Sequence, residues 1–120
     1  MIYHYKPENE CETDEKCFII EMLPASADEG CSIAQARVMP GVTTTLHKVL
    51  GVVERYVILS GEGLVTVGDS APEKVSVKDI VSIDKDVPQK IENTSGTEDL
   101  VFLCVCTPGF NIENYVDLEC

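Results

Sequence analysis

Positive charge and histidine are both scarce in this chain. Nine Lys and Arg stand against 21 Asp and Glu, a formal net charge of −12 over 120 residues, and only two histidines are present. Nucleic-acid binding needs clustered basic side chains to neutralise phosphates. The nine basic residues are scattered, which excludes that class and argues equally against docking on anionic lipid. The same balance repels anionic ligands unless a metal reverses the local sign. No apolar stretch approaches the roughly 20 residues of a membrane helix, so no membrane association is expected. The opening MIYHYKPENECETDEKC lacks a basic start followed by an apolar run, so no signal peptide is expected. The expectation is a cytoplasmic protein. No C-x-x-C pair occurs among the six cysteines at 11, 17, 31, 104, 106 and 120, which speaks against a zinc knuckle and for thiols rather than bridges. A phosphate-cradling glycine loop, a G-x-S-x-G nucleophile turn and a carboxylate pair suited to glycoside chemistry are also missing.

What is present is strand sequence. With 44% apolar residues the chain can build a core of one domain's size. Residues 1–16 are polar and acidic, an N-terminal arm or an edge strand. From 17 to 120, one domain, short β-rich runs alternate with turns: CFIIEML (17–23), SIAQARVM (32–39), TTTLHKV (43–49), VERYVIL (53–59), GLVTVG (63–68), KVSV (74–77), DIVSI (79–83), QKIEN (89–93) and LVFLCVC (100–106). The segments between them are rich in Gly, Pro, Asn, Asp and Ser, and no window sustains a helical apolar period. The tail NIENYVDLEC has room for a single helical turn. Such spacing predicts an all-β sandwich or barrel.

One histidine sits inside this pattern. Alternate strand residues share a face, so Thr45, His47 and Val49 point one way, and Glu54, Tyr56 and Ile58 share another. A reversal at Leu50–Val52, centred on Gly51, predicts a hairpin that brings His47 and Glu54 to the same side of neighbouring strands. The pair either converges on an ion or forms a hydrogen-bonded polar pair within the barrel. Tyr56, two residues beyond Glu54, is either a barrel tyrosine with a satisfied hydroxyl or a phenol that hydrogen-bonds substrate and donates a proton. Cys104 and Cys106 are expected to be buried small apolar residues, and His4 to be exposed on the arm.

The same stretch resembles the first motif of the cupin superfamily, G-x5-H-x-H-x3,4-E-x6-G. Here Gly41, His47, Glu54 and Gly61 match, and Val49 replaces the second histidine. The second motif, G-x5-P-x-G-x2-H-x3-N, falls on KDIVSIDKDVPQKIEN. Only Asn93 matches; Lys78, Asp84, Asp86 and Gln89 stand where Gly, Pro, Gly and His are usual. The resemblance covers residues 41–110 and implies a jelly-roll β-barrel of the cupin type.

It also implies a divalent metal in the barrel, with His47, Glu54 and Gln89 as the corresponding ligands and Tyr56 near the substrate. A mixed N,O donor set suits zinc, iron, manganese or nickel. Gln89 offers a neutral carbonyl oxygen, a weaker ligand than imidazole. Two functions follow from the resemblance: a small metal-dependent enzyme of dioxygenase, isomerase or lyase type acting on a small organic molecule, or a non-catalytic small-molecule-binding module with a degenerate metal site. A third is a dimerising scaffold. A homodimer is expected by resemblance, with residues 1–16 and 17–23 crossing over at a sheet edge.

Overall fold

The computed structural model describes residues 1–119; Cys120 lies outside the described residues. Among the described residues eleven strands form two antiparallel sheets. They are β1 (Cys11–Glu12), β2 (Phe18–Leu23), β3 (Ser32–Val38), β4 (His47–Val49), β5 (Val53–Ser60), β6 (Gly63–Val67), β7 (Glu73–Val75), β8 (Ile80–Ile83), β9 (Gln89–Asn93), β10 (Leu100–Thr107) and β11 (Tyr115–Asp117). One sheet runs β1-β2-β3-β10-β5-β8 and the other β11-β4-β9-β6-β7. Short 3-10 turns occupy Pro7–Asn9 and Ile112–Asn114. None of the described helices is long and apolar enough to cross a membrane.

The strands form where alternating apolar residues can line one interior. In β5 the buried positions are Glu54, Tyr56 and Ile58, and in β9 they are Gln89, Ile91 and Asn93. Val38, Ile58, Ile83, Ile91 and Leu100 are fully enclosed between the sheets. Each such side chain contributes roughly 1.5–3 kcal/mol by leaving water. Asn93 is the polar member of this layer. It is satisfied by donating to the carbonyls of Val38 and Glu98 and accepting from Ser95 N–H.

The β4–β5 hairpin expected from sequence does not form. β4 pairs with β9 and β11, whereas β5 pairs with β10 and β8. Gly51, at φ +72°, turns the chain from one sheet to the other. A period of two fixes which face a residue occupies but not which strand lies beside it. His47 and Glu54 therefore face one interior from opposite sheets.

The N-terminal segment is tied across the barrel. β1 is the edge strand beside β2, and Thr45 donates to the carbonyls of Glu15 through its backbone and Asp14 through its hydroxyl. Arg37, on β3, makes a bidentate pair with Glu10 at 2.7 and 3.1 Å, reaches Asp99 at 3.3 Å and lies over the Phe18 ring. The tail adds its single turn and then β11, which covers β4.

Candidate functional site

The β4–β9 pairing sets His47 directly opposite Gln89. The His47 Nδ1 donates to the Thr45 carbonyl at 2.7 Å. A carbonyl only accepts, so that bond puts a proton on Nδ1; in the neutral form of the ring Nε2 is then the nitrogen with the lone pair. The ring stacks on Tyr115 at 5.0 Å between centroids. Across the barrel, the first sheet sets Glu54 opposite Cys106 and Tyr56 opposite Cys104.

Tyr56, Gln89 and Glu54 form a polar relay. The Tyr56 hydroxyl donates to Gln89 Oε1, and its ring packs on Phe102 at 4.5 Å. Burial first, then the neighbouring Glu54 charge, pushes the phenol well above its ordinary range. Tyr56 is a neutral donor whose proton is already placed. Glu54 is 8% exposed, and its Oε1 has no hydrogen-bond partner among the described residues. Burial pushes its carboxyl up; hydrogen bonding from Gln89 and the charge of His47 act against that rise.

One participant was not visible in the sequence. Glu15 lies beside the same interior because Thr45 holds its backbone there. Its carboxyl is pushed up to about 7, by burial and then by Asp117. An acid among many in a polar segment gives no periodic signal; only the chain path places it. Tyr115 and Phe110, which also line the site, come from the tail and were equally unmarked. His4 is exposed. Cys106 is buried, as expected, whereas Cys104 is only half-buried; burial is the main cause that raises both thiols, so neither offers a ready thiolate.

Two spaces meet at Glu54. A cavity of about 30 Å³, room for a water or one ion, lies among Glu15, His47, Glu54, Tyr56, Phe102 and Cys104. A larger one of about 650 Å³ opens beyond it, bounded by β2, β3 and β10 and by the tail, with Glu15, Ile19, Glu54 and Cys104 shared between the two. That volume lies within the range of small-molecule sites.

The residues present only part of the donor set that the resemblance implies. Glu54 Oε1 and His47 Nε2 are available donors, but Gln89 Oε1 already accepts the Tyr56 hydroxyl. Val49 presents no donor. Among the described residues no three His, Cys, Asp or Glu side chains group to hold an ion, whereas a resident centre takes at least three protein ligands.

No family model matches the chain. An uncharacterised protein of Methanocaldococcus jannaschii is 37% identical over 111 residues, covering 89% of this chain and 86% of the relative. A crystal structure from Thermotoga maritima, described as a predicted oxalate decarboxylase, is 30% identical with a TM-score of 0.69, covering 77% of this chain and 80% of that one. An uncharacterised Klebsiella pneumoniae protein with a double-stranded β-helix domain superposes with a TM-score of 0.76 at 18% identity, over 94% and 88% of the two chains. The chain belongs to the cupin superfamily. This cupin keeps the double-stranded β-helix architecture and the inward-facing His47 and Glu54, while the remaining metal positions carry other chemistry. Its barrel type is shared with its neighbours; its activity is a property of the site.

Proposed function

We propose that this protein is a small-molecule-binding cupin whose ligand occupies the 650 Å³ cavity and meets Glu54 at its floor, without a resident metal. The observation behind this reading is the position of Glu54: a buried carboxylate oxygen without a partner, at the junction of the two cavities. A buried polar atom left unsatisfied costs roughly 1–3 kcal/mol, and a bound molecule with a donor at that point removes the penalty. His47, Tyr56 and Gln89 hold the carboxylate's surroundings in place through bonds they make among themselves and with the Thr45 carbonyl.

A second reading is a divalent ion held by His47 and Glu54, with Gln89 as a third ligand, in an enzyme of dioxygenase, isomerase or lyase type with Tyr56 near the substrate. The same free oxygen and the imidazole beside it favour this reading. Elemental analysis of untagged protein purified without added metal separates the two. The first predicts metal far below one equivalent and a pocket that still binds small molecules in EDTA. Near-stoichiometric metal, lost in His47→Ala, establishes the second. Pairing of two copies along the β1 edge belongs to either reading, since an outermost strand offers backbone groups for pairing. Light scattering showing only monomer at micromolar concentration would remove it.

A further inference from the structure

The larger cavity has an uneven charge lining. Glu12, Asp14, Glu15, Glu21, Glu54 and Asp117 border it, and among the described residues no lysine, arginine or histidine does; His47 lines only the small cavity beside it. Acidic residues at a surface are usually no more than a solvated face. Glu54 is different, because it borders this space, is more than nine-tenths buried and has a carboxylate oxygen with no partner among the described residues. The arginines that share these sheets are engaged elsewhere. Arg37 is held by Glu10 and Asp99, and Arg55 bonds Thr107 and the Val53 carbonyl. No cationic side chain of the lining satisfies the buried carboxylate.

Most of the rest of the lining is apolar, with Ile19, Leu23 and Ile33 on the strands and the rings of Phe110 and Tyr115 on the tail side, beside Thr13 and Ser32. Aromatic faces attract cations, most strongly where water is excluded. A net charge of −12 raises the local concentration of positive ligands and lowers that of negative ones.

We propose that the cavity selects a small organic cation, an amine or quaternary ammonium group on an apolar body, with the positive head against Glu54 and the body among the apolar and aromatic residues. This rests on the reading of the cavity as a ligand site and adds the charge class of the ligand. A small carboxylate, the substrate type in the description of the Thermotoga maritima protein, meets acidic side chains here and no compensating cation.

The test compares three probes of similar body on EDTA-treated, isotopically labelled protein: benzyltrimethylammonium, benzyl alcohol and benzoate, each titrated while amide shifts of Ala34, Glu54 and Cys104 are followed. The expected result is that benzyltrimethylammonium binds at least about tenfold more tightly than benzoate, and that Glu54→Gln weakens the cation by about tenfold while leaving benzyl alcohol nearly unchanged. The wild-type comparison needs no variant, and Glu15→Gln gives a second reading of the sign preference should Glu54→Gln fold poorly. Benzoate binding as well as the cation, or benzyl alcohol binding with no advantage for the cation, overturns the charge preference alone. Silence of all three probes at those amides overturns the ligand-site reading and this inference with it.

Discussion

At the scale of single residues, the second cupin motif is kept in backbone form after its side chains have changed. Lys78 and Asp86 stand where that motif has glycine, and both adopt left-handed φ, +73° and +67°. Such a conformation costs an L-residue roughly 1–2 kcal/mol, part of which glycine gives back through greater unfolded-state freedom. Lys78→Gly is therefore expected to stabilise the protein by about 0.5–1 kcal/mol in urea unfolding. Asp86→Gly should not, because Asp86 Oδ1 accepts from Gly51 N–H at 2.9 Å and holds the crossing between sheets. Gln89→His is the other informative change. It puts an imidazole opposite His47 and frees the Tyr56 hydroxyl, so calorimetric affinity for zinc or manganese should rise at least about tenfold. Unchanged affinity would place position 89 outside any ion site. The inward faces of His47, Glu54 and Tyr56 could be read from strand alternation, and Gln89 only from the resemblance to the second cupin motif. Glu15 could not, because its place depends on a turn hydrogen-bonded to Thr45, in the segment before β4 far along the chain.

At the scale of elements, most strand runs were legible nearly to their ends, since turn residues bracket them and alternation marks their faces; the run 43–49 is the exception, because only His47–Val49 form a strand and Thr43 makes an isolated bridge to Glu92. The partners of the strands were not legible. The step from β4 to β5 looks locally like a hairpin, yet the chain changes sheets there, and β11 is too short to register as a strand before it has β4 to pair with. The turn from β5 into β6 shows the opposite case, where a single residue type is forced. Gly61 has φ +85°, and a Cβ there would fall 2.5 Å from the Asp99 carbonyl oxygen. Gly61→Ala meets backbone on the neighbouring connection, which cannot swing aside as a flexible side chain can. It should lower unfolding stability by at least about 2 kcal/mol, seen as a lower urea midpoint with unchanged slope. A loss within about 0.5 kcal/mol would mean that the β5–β6 turn relaxes freely.

For the whole molecule, the interior carboxylates set how stability responds to pH. Glu15 has its carboxyl pushed up to about 7 and Glu54 is displaced in the same direction, burial being the leading cause for both. Unfolded, these groups titrate near 4.5. Between those values the native state holds more protons than the unfolded state, so stability falls as pH rises. The contribution is fully present below about 4.5 and is lost as pH climbs through 7. For Glu15 the loss is on the order of 2–3 kcal/mol, from about 1.4 kcal/mol for each pH unit between the folded and unfolded values, reduced because the residue is only partly enclosed. Self-repulsion in a chain of net charge −12 acts with the same sign. Urea unfolding followed from about pH 5 to pH 8 should show a steady decline in stability, and Glu15→Gln should flatten much of it by removing the proton that distinguishes the two states. Wild-type stability that instead rises over that range would mean that Glu15 is compensated in its ionised form, and a variant with an unchanged slope would assign the decline to the overall charge.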